Sequence, residues 1–279
     1  MNILLNDGDF VVLAHTTPTN FETDDLMEIV KKAATTCYQS EQKTHKNPQE
    51  FAKMLLGRGH MSMFDHVHVT VLFKNVSRGF THELVRHRIA AYAQESTRYV
   101  DPGNIKVVGP PHRNLDEQIT IETNLDDGSI AYKEITFREM VKEVERFYRG
   151  LRNSGWSQED ARQILPIGIK SEIVMTADLT EWRHTFRLRT QKAAHWEIRG
   201  VMNKLLKHFK EVFPPVFDDF IIAGKDENEL EYYKIKGYVG DITKMVNQAL
   251  EQYVAENTLG NDQASHFANY LNSYYNQNY

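Results

Sequence analysis

The sequence lacks several features that define common classes of protein. It contains a single cysteine, Cys37, which excludes an intramolecular disulfide and a cysteine-based zinc or iron–sulfur site. No apolar run approaches the roughly 18 residues that a membrane helix needs. Basic residues do not outnumber acidic ones, since 33 Lys and Arg stand against 38 Asp and Glu, a net charge of −5. This balance disfavours a protein whose main task is to bind a nucleic-acid backbone.

The start of the chain also lacks the pattern of a secretory leader. Residues 1–9 carry no basic stretch followed by a long apolar core. The composition, with 41% hydrophobic and 25% charged residues, is ordinary for a globular protein. We therefore expect a cytoplasmic protein that does not contact a membrane or nucleic acid.

Familiar catalytic motifs are absent as well. His82 and His87 resemble the two ligands of an H-E-x-x-H zinc helix, but their spacing is one residue too long. At that spacing the second imidazole lies about 140° around the helix from the first, so we expect no metal site. Gly57-Arg58-Gly59 lacks the third glycine of a dinucleotide loop. No histidine lies near Cys37 in the sequence, and we expect this cysteine to be buried rather than nucleophilic.

Helical patterns outnumber strand patterns along the chain. Asn47 and Pro48 mark the start of a helix that Gly57 ends, and Ser77 and Ser157 are each predicted to begin another helix. The turn residues Asp126-Asp127-Gly128 predict a hairpin. The alternation from Val67 to Phe73 predicts a strand, whereas the stretch from Thr180 to Phe213 predicts one long helix. The predicted fold class is α+β, with a central antiparallel or mixed sheet flanked by helices.

The sequence contains no linker, repeat or low-complexity stretch. We therefore predict one domain, whose main part covers residues 1–220. Residues 221–279 are predicted to be a helical C-terminal extension of the same domain, with helices after Asp241 and Asn261.

One segment of the acidic chain is locally basic. Four arginines and two glutamates lie between Arg78 and Arg98. Guanidinium groups bind phosphate oxygens in pairs, and the hydroxyl of Ser96 can add a further donor. The residues alone leave two interpretations open, an anion-binding site and a solvated basic helix end.

The order of residues in this segment resembles a known signature. Arg86-His87-Arg88, then seven residues, then Ser96-x-Arg98 resembles the R-H-R-x7-S-x-R motif of the flavin-dependent thymidylate synthases. Three further segments resemble that family in the same order, and the four together span residues 59–199. These three are Gly59–His66, Ala161–Pro166 and Leu188–Arg199.

The resemblance implies reductive methylation of dUMP to dTMP. Methylenetetrahydrofolate would supply the carbon, with FAD as cofactor and NADPH as reductant. Arg189 falls on the arginine that stabilises the deprotonated pyrimidine, and Ser96 is implied to position substrate rather than attack it. The implied dUMP contacts are Glu83, Leu84, Val85, Arg86, Gln94, Glu95, Ser96, Thr97, Arg98, Arg162 and Arg189. The implied FAD contacts are His60, Ser62, Arg86, His87, Arg88, Gln94, Asp178, Thr180 and His184.

The sequence departs from the family in the stretch before Arg189. The family usually has Asn-x-Arg where this chain has Asp178-Leu179-Thr180, so an amide and a guanidinium are lost as donors to the flavin. The resemblance also implies a homotetramer whose active sites are shared between chains. Two alternatives stay open, a flavin enzyme that hydroxymethylates dUMP and a non-catalytic module that binds nucleotides or nucleic acid.

Overall fold

The computed structural model describes residues 2–39, 47–97 and 105–236, together with Val246. The strands, in chain order, are β1 (Asn2–Leu4), β2 (Asp9–His15), β3 (His68–Ser77), β4 (Ala91–Gln94), β5 (Lys106–Val108), β6 (Gln118–Asn124), β7 (Ile130–Thr136), β8 (Lys170–Asp178), β9 (Phe220–Lys225) and β10 (Glu231–Ile235). The α-helices are α1 (Met27–Tyr38), α2 (Pro48–Gly57), α3 (Arg78–Leu84), α4 (Phe137–Asn153), α5 (Gln158–Ala161), α6 (Leu179–Arg189), α7 (Trp196–Val212) and α8 (Pro214–Phe217). Short 3-10 helices cover Met61–His66 and Arg162–Ile164.

A four-stranded antiparallel sheet forms the centre of the fold. Its strand order is β2-β3-β8-β4, and Val71 of β3 lies opposite Met175 of β8. The remaining strands form three separate pairs: β1 with β5 in parallel, and two antiparallel pairs, β6 with β7 and β9 with β10. The predicted α+β class with a central antiparallel sheet is confirmed.

The main core lies between this sheet and the helices α6, α7 and α8. Trp182 is fully buried, its ring centroid lies 5.3 Å from that of Phe209, and its indole N–H donates to the carbonyl of Val69 at 3.1 Å. Phe186 packs against Phe209 and Phe217 at centroid distances of 5.2 and 5.6 Å. Tilted and edge-to-face rings of this kind add to the free energy of simple burial.

Several predicted helix starts are confirmed by their capping bonds. The side chain of Asn47 accepts from the backbone N–H of Glu50, and that of Ser77 accepts from Phe80. Ser157 likewise accepts from the N–H of Asp160. Each bond satisfies an N–H that has no partner inside its own helix.

The β6–β7 hairpin is also confirmed, and its turn explains the residues found there. Gly128 has φ of +81°, a conformation that residues with a Cβ rarely adopt. Asp127 accepts hydrogen bonds from both the N–H and the hydroxyl of Ser129, at 2.9 and 2.6 Å. The turn chemistry therefore sets the register of the hairpin.

The long helix predicted from Thr180 to Phe213 is in fact two helices. α6 ends at Arg189, α7 begins at Trp196, and the side chain of His195 caps α7. The break was missed because both helices carry the same apolar spacing. Pro214 does not only end α7, since it also occupies the first turn of the short helix α8.

The central strand β8 was not predicted from the sequence. Its buried residues Ser171, Ile173, Met175 and Ala177 alternate with partly exposed ones. Serine and alanine weaken this alternation as a hydrophobic signal.

Two further expectations differ from the structure. Cys37 is exposed on the last turn of α1, so the expectation that it would be buried is wrong. Residues 220–235, at the start of the predicted helical extension, form the β9–β10 hairpin. The helices predicted after Asp241 and Asn261 lie outside the described residues.

Within the described residues, none of the helices combines the length and apolar character that crossing a membrane requires.

The reciprocal cap of α4 offers a test of the fold. The hydroxyl of Thr136 accepts from the N–H of Glu139, whose carboxylate accepts from the N–H of Thr136 at 2.8 Å. Thr136→Ala should lower the free energy of unfolding by about 1 kcal/mol, measured by urea denaturation. Thr136→Ser keeps the hydroxyl and should retain most of that stability. Equal losses in the two variants would contradict the assignment.

Candidate active site

Two of the predicted site residues, Glu83 and Arg189, lie on the helices α3 and α6, whose C-terminal ends meet. α3 follows β3 directly, whereas α6 follows β8, whose last residue, Asp178, lies opposite His68 at the start of β3. α6 then runs back along the sheet for 11 residues, about 16 Å. This path brings Arg189, at the end of α6, to Glu83, at the end of α3.

Arg189 makes three hydrogen bonds at this junction. Its Nη1 donates to Glu83 Oε2 at 2.7 Å, its Nη2 to the Glu83 carbonyl at 2.9 Å, and its Nε to His87 Nε2 at 2.9 Å. A guanidinium group carries five N–H donors, so two remain for another group. The side chain of Arg189 is only 18% exposed, which strengthens these charge-assisted bonds.

His87 is buried in the loop after α3, where its ring lies between two side chains of α6, those of Arg189 and Glu181. Burial, followed by the charge of Arg189 and the proximity of His184, lowers the pKa of His87 to about 4. Its Nδ1 lies 3.5 Å from Glu181 Oε1 and has no hydrogen-bond partner in the described part of the chain. The ring of His184 packs edge-on against that of His87 at a centroid distance of 5.6 Å.

The conformation of this loop is held by Tyr92 of β4. The Tyr92 hydroxyl lies 2.9 and 2.7 Å from the carbonyl oxygens of Leu84 and His87, and its one proton is shared between these two acceptors. Burial and the nearby carboxyl of Glu181 raise the pKa of Tyr92, so its proton stays in place. Sequence reasoning missed Tyr92, although it lies inside the recognised motif, because its partners are main-chain atoms.

The second half of the motif lies on β4 and the loop that follows it. The side-chain nitrogen of Gln94 donates to the buried hydroxyls of Thr81 and Ser171, so only its amide oxygen is left for a ligand. Glu95 pairs with Lys170 at 3.2 Å. These side chains join the motif to α3 and β8.

Arg162 reaches the same loop from the turn after α5. Its Nη1 donates to the hydroxyl of Thr97 at 3.0 Å, which places it beside the partly buried Ser96. Arg98 lies outside the described residues. Of the predicted dUMP contacts in this loop, Thr97 is the one whose hydrogen bond to Arg162 the structure shows.

Not every predicted contact residue offers its side chain to a ligand. Leu84 is fully buried, which leaves only its main chain near the site, whereas Arg86, Arg88 and Val85 are exposed.

The residues near the start of α6 form a separate group. Asp178 accepts from the N–H of Glu181 at 2.7 Å as the cap of α6, and the hydroxyl of Thr180 donates to the carbonyl of Met61 at 3.1 Å. Met61 begins the 3-10 helix that carries Ser62 and directly follows His60. Asp178 and Thr180 thus already hold α6 and this 3-10 helix in place.

His87, Glu181 and His184 lie close enough together to suggest a metal site, since one possible ligand atom from each falls within 4.8 Å of the others. The hydrogen bonds argue against a cation. His87 Nε2 accepts from Arg189, and His184 Nδ1 accepts from Arg187 at 3.1 Å. One lone pair of each ring is therefore directed to a guanidinium group, and two positive charges lie beside the cluster.

A buried carboxylate supports α3 from the opposite side. Glu197, near the start of α7, accepts from the N–H and the hydroxyl of Ser77 at 2.6 and 2.5 Å. Burial raises the pKa of Glu197, while the two bonds from Ser77 oppose that shift. Sequence reasoning did not find this pair, because its members lie 120 residues apart.

Two cavities lie beside the start of α7, and Arg189, Glu83 and His87 line neither of them. One of about 600 Å³ is lined by α7 and the β9–β10 hairpin, and a second of about 500 Å³ shares His112, Trp196 and Asn228 with it. The charged groups of their walls largely neutralise one another, as in the ion pairs Lys207–Glu231, Lys225–Glu229 and Arg199–Asp226.

The chain is similar to known proteins over most of its length. Residues 21–215 match the family model described as thymidylate synthase complementing protein. The chain is 32% identical over 213 residues to a flavin-dependent thymidylate synthase of Mycobacterium avium, covering 74% of this chain and 84% of that protein. Identity to the protein of that name from Nitratidesulfovibrio vulgaris is 37% over 169 residues, covering 60% of this chain and 66% of the other.

A solved structure has the same fold. It is the crystal structure of a UMP/dUMP methylase, PolB, from Streptomyces cacaoi, bound with 5-Br dUMP. The TM-score is 0.59 at 18% identity, and the match covers 78% of this chain and 96% of that one.

The hydroxyl of Tyr92 provides a test of how the loop after α3 is supported. Tyr92→Phe leaves the carbonyls of Leu84 and His87 without this donor and should lower the free energy of unfolding by about 1–3 kcal/mol. Tyr132→Phe is the matched control, because Tyr132 is 64% exposed, and it should change stability by less than about 0.5 kcal/mol. Denaturant titration measures both, and equal effects would argue against a supporting role for the Tyr92 hydroxyl.

Proposed function

The chain belongs to the flavin-dependent thymidylate synthase family, and we propose that it converts dUMP to dTMP by reductive methylation. In this proposal methylenetetrahydrofolate donates the carbon, and FAD and NADPH are the cofactor and the reductant. The observation that carries it is the junction of Arg189 with Glu83 and His87, which joins two separate motif segments through three hydrogen bonds.

The residues present fit a flavin dinucleotide in part. The exposed guanidinium groups of Arg86 and Arg88 suit a pyrophosphate, whereas both ring nitrogens of the buried His87 face protein groups, Arg189 and Glu181. Asp178 and Thr180 fit less well, because each already makes a bond within the protein. When bound, the flavin supplies the reducing equivalents that the transferred carbon needs, and NADPH replenishes them.

The nucleotide would lie between Arg189 and the loop after β4. Arg162, oriented by Thr97, pairs with its phosphate, and Ser96 positions it. The two remaining N–H groups of Arg189 face the pyrimidine ring. Their positive charge stabilises the negative charge that develops as C5 becomes nucleophilic, so no attacking thiol is required. The exposed Cys37 has no assigned role in this scheme.

The predicted homotetramer is part of the same proposal. Ile89, between the motif arginines and β4, is 72% exposed, and Ile167 is 62% exposed. Large exposed apolar side chains beside functional residues favour burial against another copy of the chain. A shared site would then place Arg86 and Arg88 at the interface between subunits.

Spectroscopy with the natural ligands tests the chemistry. The purified protein, supplied with FAD, should show a flavin absorbance, and dUMP with methylenetetrahydrofolate and NADPH should yield dTMP by mass spectrometry. Arg189→Ala should abolish product, because the pyrimidine loses its cationic partner, and circular dichroism should show a retained fold. Arg146→Ala, at an exposed site on α4, is the control and should remain active.

Two results would contradict this assignment. A protein that binds no flavin on reconstitution would refute the flavin chemistry, and a product heavier than dTMP by one oxygen would indicate hydroxymethylation instead. Salt-sensitive binding of polynucleotide without NADPH oxidation would favour the non-catalytic module.

Light scattering tests the assembly. The wild-type protein should have four times the mass of one chain. Ile89→Glu should dissociate the assembly and reduce activity, because it places a charge in the proposed interface. Ile130→Glu, on the β6–β7 hairpin, should leave the assembly intact. A fully active monomeric wild-type protein would refute the shared site.

A further inference from the structure

Glu181 is a buried carboxyl group beside the proposed substrate site, and the proposed chemistry gives it no role. It lies in the first turn of α6 and is 6% exposed. Its Oε1 lies 3.5 Å from the unpartnered Nδ1 of His87. A buried carboxyl group directed at a buried imidazole nitrogen is costly unless the two groups interact.

The bond from Arg189 determines which nitrogen of His87 carries the proton. A guanidinium group can only donate, so Nε2 must accept the 2.9 Å bond from Arg189 Nε with its lone pair. Because the pKa of His87 is lowered to about 4, the ring is neutral at physiological pH. The single ring proton is therefore on Nδ1, on the side that faces Glu181.

We propose that Glu181 is a positioning residue, which accepts the Nδ1–H of His87 and thereby keeps Nε2 available to orient Arg189. A movement of about 0.5 Å brings the 3.5 Å separation to ordinary hydrogen-bond length. The opposite tautomer would set Nε2–H against the N–H of Arg189 Nε. Arg189 would then have to move, and its bonds to Glu83 would be disturbed. The inference rests on the proposed function, in which Arg189 contacts the pyrimidine.

The groups around Glu181 indicate the pH range in which its carboxylate can hold the Nδ1–H of His87. Burial, followed by the negative charge of Asp178, raises the pKa of Glu181 to about 7. His87 faces it from the loop after α3, Tyr92 from β4, and His184 and Arg189 follow it on α6. Above about pH 7 the carboxylate is a strong acceptor for Nδ1–H. Below that pH the carboxyl group is protonated and accepts more weakly. His87 stays neutral across this range, so the transition belongs to Glu181.

The pH dependence of dUMP binding tests this proposal. Calorimetry on the flavin-loaded wild-type protein should show about tenfold weaker binding at pH 6 than at pH 8, the effect of one charge-assisted hydrogen bond. Glu181→Gln carries a neutral acceptor at every pH. At every pH the variant should bind dUMP about as weakly as the wild type does at pH 6. Its affinity should therefore show no change near pH 7 that is due to this side chain. Glu143→Gln, at an exposed site on α4, should retain the wild-type profile.

A second measurement reports on His87 without substrate or turnover. In protein labelled with 15N-histidine, nitrogen chemical shifts distinguish Nδ1–H from Nε2–H, and the His87 signal is assigned by its loss in His87→Gln. In the wild-type protein the nitrogen shifts of His87 should indicate Nδ1–H at pH 8 and should change near pH 7. In Glu181→Gln these shifts should not change near pH 7.

The possible outcomes separate this inference from the proposed function. If wild-type protein binds no dUMP at any pH, the proposed function fails, and the nitrogen shifts still test the contact between Glu181 and His87. If dUMP binds but the wild type and Glu181→Gln share one pH profile, the positioning role is refuted. If Glu181→Gln fails to fold, the nitrogen shifts of the wild-type protein still test the positioning role. A His87 signal typical of Nε2–H at pH 8, or one that does not change with pH, would refute that role.

Discussion

The guanidinium group of Arg189 is the contact on which the arrangement of the site depends. It joins the end of α6 to the end of α3 and to the loop after it, and no other group at this junction donates to both Glu83 and His87 among the described residues. Because the group is planar and its donors are fixed in direction, three acceptor atoms on Glu83 and His87 define its orientation. The same constraint sets the tautomer of His87, and through it the relation of Glu181 to the site.

The helices that carry these groups are held by polar contacts that come from elsewhere in the chain. Glu197 of α7 binds the start of α3 through Ser77, and the hydroxyl of Tyr92 of β4 holds the carbonyl of Leu84, at the end of α3, and that of His87, in the loop after it. A short helix of seven residues has little stability of its own, so its position depends on such contacts. Preorganisation of this kind lets a charged group meet a ligand without rearrangement.

The charge distribution agrees with small anionic ligands rather than a polymer. The chain is acidic overall, and its arginines near the site are either exposed, as Arg86 and Arg88 are, or oriented by a neighbour, as Arg162 is by Thr97. The thiol contributes little to this arrangement, since the single cysteine is exposed at the end of α1. The proposed reductive methylation needs electrostatic stabilisation of the pyrimidine, which guanidinium groups can supply.

The sequence by itself determined the local structure and the family. Capping residues such as Asn47, Ser77 and Ser157 act over three or four residues, so the helix starts they predict are those of the structure. The spacing of Arg86, His87, Arg88 and Ser96 likewise sufficed for the resemblance that the comparisons support. Only the tertiary structure decided that β8 is the central strand and that α6 and α7 are separate. It also brought Glu181 to His87 across 94 residues of chain. These features depend on pairing and burial between distant segments, which no local pattern of residues encodes.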